Sequence, residues 1–441
     1  MTVEDRKVSI VTFGCQMNKL DSELLSGALA DHGYAVVEDP DEASIVLYNT
    51  CSVRGHAEEK AFSHLGSFRR RAEREDDFVL GVIGCMAQRM GEELVKRFDH
   101  VKLVCGTREF PNVPSYLKDI ERGYGPVIAV DGEGEVDVQR NVRSRPQGHH
   151  AYVSIMRGCD NFCAYCIVPY VRGRETSRRP ADIVEEVKRL ADDGVREVTL
   201  LGQNVNSYAK DLDNASLPGL LAELDEVQGV RRIRFVTNHP ADMSEDILRA
   251  VADLEKVCEH LHVPAQSGSD RILDRMKRRY TSQQYRELVD RARELIPGVE
   301  IASDFMVGFP GETQEDFEQT LSLVQDVRFQ QCFMFKYSPR PGTLAAEWED
   351  DVPQETKQEW LQRLLSAQAD VDLERRQGLV GQVKEVLVDG VSKQDETNLS
   401  GRTRQNDIVV FESSVDLEGK LRRVEIVDTT RLTLFGRLLT Q

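Results

Sequence analysis

Three cysteines within residues 157–174, "RGCDNFCAYCIVPYVRGR", are close enough in the chain to share one ligand. Cys159, Cys163 and Cys166 follow the spacing C-x3-C-x2-C. Three thiolates on so short a loop suit a cubane iron-sulfur cluster and leave its fourth iron without a protein ligand. An iron with an open position can bind and activate a small molecule.

A structural zinc site and a redox dithiol are the two other interpretations of this loop. Structural zinc normally has four protein ligands, and no Cys or His follows Cys166 within about 15 residues. A dithiol of Cys163 and Cys166 leaves Cys159 without a role and lacks the thioredoxin-like setting of such pairs. The spacing therefore favours an iron-sulfur cluster.

Three more cysteines are isolated in the chain: Cys15 in "VTFGCQMN", Cys51 in "IVLYNTCSVR" and Cys85 in "FVLGVIGCMAQ". Each ends an apolar stretch and directly follows Gly or Thr. Because the C-terminal ends of parallel strands meet at one edge of a sheet, we expect the three thiols to lie together and share a ligand. The alternative is that they are small buried hydrophobic residues, as free cysteines often are. Cys105 ends a fourth such stretch and is a further candidate by position.

The elements that must position these cysteines alternate between strand and helix. Strands are predicted near residues 8–13, 45–49, 79–83 and 101–104, with amphipathic helices between them. The alternation restarts with six βα units, whose strands are predicted near 151–156, 197–201, 231–236, 259–263, 299–306 and 331–336. The pattern predicts an α/β protein: an N-terminal parallel α/β sandwich domain, then a partial, six-unit βα barrel.

Beyond residue 378 the pattern changes to short strands separated by Gly, Asn and Asp turns, which predicts a small all-β barrel. The predicted domains are the α/β sandwich at 6–122, a Gly- and charge-rich connector at 123–144, the βα core at 145–377 and the small barrel at 378–441.

The net charge of −18 over 441 residues opposes a chain-wide attraction to nucleic acid, so any RNA contact must be local. Basic stretches at 68–74, 172–179, 275–280 and 420–423 are candidates, although such a stretch is more often a solvated surface. No run of about 18 apolar residues and no signal-like N-terminus is present. We therefore expect a cytoplasmic protein without a membrane partner. Nine scattered cysteines in such a chain favour metal binding over disulfides.

The loop of Cys159, Cys163 and Cys166, with Tyr165 before its last cysteine and six βα units around it, resembles the radical S-adenosylmethionine (SAM) enzymes. "FGCQMN", "NTCSVR" and "IGCMAQ", together with a C-terminal barrel that resembles the TRAM domain, are similar over essentially the whole chain to the methylthiotransferase family. The resemblance implies two [4Fe-4S] clusters and two molecules of S-adenosylmethionine per turnover. The implied ligands are Cys159, Cys163 and Cys166 for the radical SAM cluster and Cys15, Cys51 and Cys85 for an auxiliary cluster, with Cys105 structural.

Within that family, "GCQMN", "NTCSVR" and "CDNFCAYCIVPYVRGRE" are similar to the branch that adds a methylthio group to C2 of N6-dimethylallyladenosine in tRNA. The ribosomal-protein branch typically shows Pro-Lys at the positions of Gln16 and Met17, and Thr176 departs from the Arg of many relatives. The resemblance implies the tRNA anticodon stem-loop as substrate and a flavodoxin-type electron donor. We also expect a monomer. The same chemistry on threonylcarbamoyl-adenosine or a ribosomal protein remains an alternative, as does a non-catalytic metal-containing RNA-binding protein.

Polar residues at the predicted strand ends of the core are the candidates for binding S-adenosylmethionine, because amides, hydroxyls and carboxylates suit its ribose and amino groups. With Tyr165, which the resemblance adds, they are Gln203, Asn204, Asn238, His239, Gln266, Ser267, Ser303 and Asp304. The candidate RNA contacts are Arg172, Arg174, Arg178, Arg402, Arg404, Arg422 and Arg423. The sequence shows no convincing catalytic acid or base.

Overall fold

The structure is a computed structural model, and it describes residues 6–52, 55–130, 132, 140–141, 143–144, 146 and 148–439. Parts of the predicted connector, the predicted start of the core at residue 145, residues 53 and 54 of the "NTCSVR" motif and the last two residues of the predicted barrel lie outside these ranges. The chain forms two compact units. The first comprises Met1–Pro146, Arg157–Asn161 and Cys166–Thr176, and the second comprises Gln147–Met156, Phe162–Tyr165 and Ser177–Gln441.

The first unit is built on a six-stranded parallel sheet in the order β2-β1-β3-β4-β5-β6. Its strands are β1 (Lys7–Phe13), β2 (Ala35–Val36), β3 (Ile45–Thr50), β4 (Val79–Gly84), β5 (Val101–Cys105) and β6 (Val127–Ala129). Its helices are α1 (Gln16–Asp31), α2 (Gly55–Ser67), α3 (Arg69–Ala72), α4 (Cys85–Met90), α5 (Glu92–Arg97) and α6 (Val113–Glu121). Every residue of β3 and β4 is buried, as expected for central strands that are covered on both faces.

The second unit contains the six βα units. Its parallel strands are β7 (His150–Ser154), β10 (Glu197–Leu201), β11 (Arg232–Phe235), β12 (His260–His262), β13 (Glu300–Val307) and β14 (Gln331–Lys336). They form two sheets, β11-β10-β7 and β12-β13-β14. The Asn238 N–H, after β11, donates to the His262 carbonyl at the end of β12 (3.2 Å). The six strands therefore follow one another in chain order, as in an open barrel.

Amphipathic helices cover this barrel. They are α8 (Pro180–Asp192), α9 (Leu217–Asp225), α10 (Glu245–Asp253), α11 (Asp270–Arg275), α12 (Ser282–Leu295), α13 (Gln314–Val327) and α14 (Gln354–Gln377). Between β7 and α8 the chain forms the two-residue strands β8 (Met156–Arg157) and β9 (Thr176–Ser177). The short helix α7 (Val168–Arg172), which belongs to the first unit, lies between these two strands in the sequence. α8 begins with a proline at its first position and buries Ile183, Val187 and Leu190 at helical spacing. Thr281 and Gln284 form a reciprocal capping box at the start of α12.

The C-terminal strands close into a barrel in the order β15-β16-β17-β19-β18. They are β15 (Val383–Val391), β16 (Asn398–Thr403), β17 (Ile408–Glu412), β18 (Leu421–Thr429) and β19 (Leu434–Leu438). Alternate side chains point inward, and Val386, Val409, Phe411 and Ile426 form the centre of its core. Closure leaves no unpaired edge strand.

The predicted fold class is confirmed, and each predicted strand is present. The stretch predicted as one strand at 151–156 is interrupted at Ile155, so it appears as β7 and β8. The edge strand β2 was not predicted, because two exposed residues give no alternation to detect. Among the described residues, no helix is both long and apolar enough to cross a membrane.

Candidate metal centres and nucleic-acid surface

The C-terminal ends of three adjacent strands bring Cys15, Cys51 and Cys85 to one edge of the first sheet. Phe13 at the end of β1 pairs with Thr50 at the end of β3, and Thr50 pairs with Gly84 at the end of β4. Each cysteine follows its strand end by one or two residues. The structure therefore gathers three thiols that are 36 and 34 residues apart in the sequence.

The surroundings of Cys15 make its thiol more acidic than an ordinary cysteine. A hydrogen bond with Cys51 is the main cause that lowers its pKa to about 6, with burial opposing and Arg172 adding to the effect. Cys15 also precedes α1 as its N-cap, and its thiol donates to Asn18 Oδ1 (3.2 Å). A thiolate near neutral pH is the form that binds metal.

Two glycines permit this close approach. A Cβ at Gly14 would lie 2.8 Å from the Cβ of Cys51, a separation that real side chains essentially never show. Gly84 has a φ of +93°, where a side chain would be strained, and a Cβ there would meet Asn49 Oδ1 at 2.5 Å. The Gly-Cys order at 14–15 and 84–85 thus has a steric reason.

A buried hydrogen-bond network fixes the backbone behind the thiols. Asn18 Nδ2 donates to Asn49 Oδ1, while Asn49 Nδ2 donates to the Asn18 carbonyl and to Ser22 Oγ, each at 2.9 Å. Ser22 Oγ and Thr12 Oγ1 are 2.7 Å apart. The network ties α1 to β1 and β3 at the level of the cysteines.

Arg172, the last residue of α7, lies beside the same thiols. Its Nη2 donates to Asp21 Oδ2 (2.8 Å), and its side chain is only 4% exposed. Burial opposes its charge, but Cys85, Asp21 and Cys15 outweigh that effect and raise the pKa of Arg172. Burial also raises the pKa of Cys85, and Arg172 opposes this rise. This placement contradicts the expectation that Arg172 contacts RNA, because a buried guanidinium cannot reach a phosphate.

Cys105 does not reach the level of the three thiols. It pairs with Ile83 inside the sheet, two residues before Cys85, and burial raises its pKa well above the usual value. Burial likewise raises the pKa of Cys258 and Cys332 in the second unit. These three thiols are therefore held protonated, as structural cysteines are.

No three His, Cys, Asp or Glu side chains in the described part of the chain converge on a single metal ion. A cubane cluster has a different requirement, because each thiolate binds its own iron at a different corner. Two buried thiols and the partly exposed thiol of Cys15 lie at adjacent strand ends, and a lowered pKa at Cys15 and a neighbouring cation fit that requirement. Cys15, Cys51 and Cys85 would hold such a cluster.

The C-x3-C-x2-C loop is supported separately in each unit. In the first unit, Asn161 Nδ2 lies 3.6 Å from Cys159 Sγ, and the Cys159 N–H donates to the Gly173 carbonyl (3.1 Å). In the second unit, Arg278 Nη1 donates to Cys163 Sγ (3.4 Å), and the Ala164 N–H donates to the Met276 carbonyl (3.0 Å). Cys166, which completes the spacing, is partly exposed.

The predicted S-adenosylmethionine contacts divide into two groups. Asn204, Asn238 and His239 are buried, and so are Ser267 and Ser303, which make hydrogen bonds within the scaffold. The partly exposed group at the strand ends comprises Tyr165, Gln203, Gln266 and Asp304. The second group is better placed to touch a ligand.

His239 is a special member of the buried group. Burial, followed by the charge of Arg278, lowers its pKa to about 3. Its Nδ1 accepts from the Ala241 N–H (3.2 Å), and its Nε2 is buried without a partner in the described residues. The ring is therefore neutral.

Sequence reasoning missed His262, which lies at the end of β12. Its Nε2 is 3.1 Å from Asp304 Oδ1, and its Nδ1 accepts from the Thr237 N–H (3.3 Å). Thr237 has a φ of +66°, an unusual conformation for a β-branched residue. The signal was present, because His262 occupies a strand end like the residues that were selected.

The predicted RNA contacts differ in availability. Arg174 is exposed and pairs with Asp160 (2.6 Å), while Arg178 pairs with Glu186 (2.8 Å) and donates to the Ser154 carbonyl. In the small barrel Arg423 is exposed, whereas Arg402 and Arg422 are partly buried.

Arg404 is the barrel arginine least suited to bind RNA, because it joins the barrel to the βα core. Its Nη2 and Nε lie 2.7 and 2.8 Å from the two carboxylate oxygens of Glu259. In return, core arginines hold the barrel backbone: Arg232 donates to the Arg402 carbonyl (2.6 Å), and Arg234 donates to the Thr403 and Arg404 carbonyls (2.7 and 2.6 Å).

Comparison with known proteins agrees with this architecture. Residues 7–106 match the model of "Uncharacterized protein family UPF0004", residues 153–324 match the radical SAM superfamily and residues 377–439 match the TRAM domain. Among solved structures, the radical S-adenosylmethionine methyltransferase TsrM from Kitasatospora setae is similar in fold, with a TM-score of 0.57 and 17% identity over 77% of each chain. The cobalamin-dependent enzyme OxsB gives a TM-score of 0.52 at 14% identity over 83% of this chain and 56% of its own. The fold and the matched domains define a radical SAM protein with a TRAM barrel.

Full-length relatives narrow that class. The tRNA-2-methylthio-N(6)-dimethylallyladenosine synthase of Carboxydothermus hydrogenoformans is 44% identical over 99% of this chain and 100% of its own. That of Moorella thermoacetica is 46% identical over 99% of both chains. The chain belongs to this family of synthases.

Proposed function

We propose that this protein is a tRNA methylthiotransferase that acts on C2 of N6-dimethylallyladenosine next to the anticodon. The observation that carries the proposal is the register of three strand ends that gathers Cys15, Cys51 and Cys85, in a chain that also carries the C-x3-C-x2-C loop of a radical SAM core. Relatives named for this activity match nearly the full chain.

The chemistry explains why two cysteine groups are needed. A C–H bond on an adenine ring is too strong and too weakly acidic for a side-chain base, so it needs radical chemistry. Bound clusters would supply the electron that cleaves S-adenosylmethionine and the site that holds sulfur. The chain's own part is to provide thiolates, to orient the substrate and to exclude water.

Iron analysis tests the cluster count. After anaerobic reconstitution, the wild-type chain is expected to hold roughly eight irons, and Cys85→Ala roughly four. Cys105→Ala is the matched control and should keep the wild-type count, because its thiol lies inside the sheet. A wild-type plateau near four irons would contradict the second cluster.

Turnover and product tests follow. With dithionite the reconstituted enzyme should cleave S-adenosylmethionine, and Cys163→Ala should abolish cleavage; a non-catalytic RNA-binding protein would not cleave it in either form. Mass spectrometry of tRNA nucleosides from a deletion strain should show loss of the methylthio-prenyl nucleoside. Loss of the methylthio-threonylcarbamoyl nucleoside instead, or of a ribosomal-protein modification, would assign another substrate.

Further parts of the proposal rest on the family alone. We propose a flavodoxin-type electron donor and a monomeric enzyme. Because the proposed substrate is tRNA, we place the reaction in the cytoplasm. Arg174 and Arg423 are proposed to contact the anticodon stem-loop, since both are exposed in basic stretches.

A further inference from the structure

The segment between α11 and α12 lies directly against the C-x3-C-x2-C loop within the second unit. The Ala164 N–H donates to the Met276 carbonyl (3.0 Å), and Arg278 Nη1 donates to Cys163 Sγ (3.4 Å). The backbone of this segment is therefore one hydrogen bond away from the residue that follows Cys163. A molecule that binds to the segment comes close to that sulfur without entering the βα barrel.

This segment is strongly basic in a chain that is acidic overall. Residues 274–279, "DRMKRR", carry four cations and one carboxylate, whereas the whole chain has a net charge of −18. Arg275 and Lys277 are exposed, and neither has an ion-pair partner among the described residues. Because most of the surface of this chain would repel an acidic protein, a local basic patch is where such a protein can approach.

An exposed aromatic ring lies on the cysteine loop itself. Phe162 is 39% exposed and has a φ of +44°, an unusual conformation for a bulky side chain. Lys277, on the adjoining segment, also has a left-handed backbone, with a φ of +58°. Residues held in such conformations are found preferentially at functional sites. An apolar centre with a charged rim is the usual anatomy of a protein–protein interface.

We propose that Phe162 and Lys277, with the exposed cations Arg275 and Arg279 beside them, form the docking surface for the protein that reduces the radical SAM site. Charge complementarity indicates a small acidic protein that carries a one-electron donor such as reduced flavin. This inference rests on the proposed function, which requires an electron at the C-x3-C-x2-C loop. One electron passes from the donor to the cluster that this loop would hold, and no bond forms or breaks at the interface.

A protein donor fits this surface better than the RNA substrate does. Electron transfer slows steeply with distance, so a donor must dock beside the cysteine loop. The RNA must instead bring one base to the strand ends of the open barrel, where Gln266 and Asp304 are partly exposed. The basic segment lies outside the barrel strands, between two of the helices that cover them.

The test uses the reconstituted full chain, with reduced flavodoxin as the probe. Lys277→Glu reverses one charge, and Phe162→Gly removes the ring while glycine accepts the left-handed backbone. Lys188→Glu, at an exposed lysine on α8, is the matched control. Three properties are measured: the Kd of flavodoxin at several salt concentrations, cleavage of S-adenosylmethionine driven by flavodoxin, and cleavage driven by dithionite.

Lys277→Glu is expected to raise the Kd of flavodoxin roughly fivefold at low salt and to slow flavodoxin-driven cleavage by a similar factor. Both effects should shrink as the salt concentration rises, because salt screens exposed charges. Dithionite-driven cleavage in Lys277→Glu should match wild type, since this small reductant needs no docking surface. Phe162→Gly should raise the Kd of flavodoxin at every salt concentration, and Lys188→Glu should change none of the three properties.

A wild-type Kd of flavodoxin in both Lys277→Glu and Phe162→Gly would overturn the inference. A wild-type chain that dithionite reduces but flavodoxin neither binds nor reduces would also overturn it. If Lys277→Glu weakens binding of the anticodon stem-loop and leaves binding of flavodoxin unchanged, the surface belongs to the RNA and the inference is wrong. Failure of the wild-type chain to cleave S-adenosylmethionine with dithionite would instead count against the proposed function.

Discussion

The Nη1 atom of Arg278 lies 3.4 Å from the Sγ atom of Cys163, although 115 residues separate them in the chain. The same guanidinium donates to the Pro264 carbonyl and the Tyr280 hydroxyl, each at 3.1 Å, so its orientation is fixed. The charged guanidinium therefore gives the Cys163 sulfur a hydrogen bond from a fixed direction. An arginine therefore lies beside a cysteine of each group: Arg278 beside Cys163, and Arg172 beside Cys85.

Replacing Arg278 should weaken the radical SAM site. Arg278→Met is expected to slow dithionite-driven cleavage of S-adenosylmethionine by roughly tenfold, because the Cys163 sulfur loses its charged hydrogen-bond donor. The measurement is 5′-deoxyadenosine formed per chain. Lys277→Met, at an exposed neighbour in the same basic stretch, is the control and should cleave like wild type. Equal rates in the two variants would show that the Arg278 contact has no role.

A methyl group at Gly14 should disrupt the auxiliary site. In Gly14→Ala the new Cβ would lie 2.8 Å from Cys51 Cβ and 2.6 Å from Asn18 Oδ1, so the strand end must shift. We expect roughly four irons per chain after reconstitution instead of roughly eight. Gly66→Ala is the control, because a Cβ there meets nothing within 4 Å and an alanine in a helix is slightly stabilising. A full iron count in Gly14→Ala would contradict the steric argument.

Two barrel arginines should separate stability from RNA affinity. Arg404→Ala breaks the bidentate pair with Glu259 and should lower the free energy of unfolding by about 1–3 kcal/mol. Arg423→Ala should leave stability unchanged, weaken binding of the anticodon stem-loop and reduce the salt dependence by about one phosphate contact. Urea titration and binding at several salt concentrations measure the two effects. A loss of stability in Arg423→Ala together with a loss of RNA affinity alone in Arg404→Ala would contradict these roles.

Acid should destabilise the core through His260. Burial, then the charges of Arg234 and His262, lower the pKa of His260 to about 3. In the folded state His260 therefore becomes protonated at a lower pH than in the unfolded state. Its contribution to the free energy of unfolding is fully present above pH ~6.5 and is lost as the pH falls towards 3. The expected slope from this group is about 1.4 kcal/mol per pH unit.

Comparing His260→Asn with the exposed control His32→Asn tests this dependence. Unfolding free energies at about pH 7 and pH 5 should differ less in His260→Asn than in wild type, while His32→Asn should follow wild type. An unchanged pH dependence in His260→Asn would show that His260 is not held neutral by the fold.

The sequence predicted those parts of the site that depend on local pattern. Strand ends could be located from apolar runs, and parallel strands bring their ends to one edge, so the meeting of Cys15, Cys51 and Cys85 followed from the fold class. The C-x3-C-x2-C loop could be identified from the spacing of its cysteines alone. These features depend on residues that are close in the chain or on a repeated element.

The arginines show what local pattern cannot give. Arg172 and Arg278 lie in basic stretches that look like solvated surface or RNA contacts, yet both face sulfur. Arg172 is held by the Asp21 carboxylate, 151 residues away, and Arg278 donates to the Cys163 sulfur, 115 residues away. Burial of a guanidinium is decided by tertiary packing. Arg404 was likewise predicted to bind RNA, although its partner Glu259 is 145 residues away.

The attachment of the small barrel has an evolutionary consequence. Arg232 and Arg234 hold carbonyl oxygens of residues 402–404, and a carbonyl is present whatever side chain a residue carries. Mutations that alter the outward side chains of this barrel would therefore leave these anchoring bonds in place. Descendants of this enzyme can change the outward surface of the barrel while the barrel stays attached to the same core.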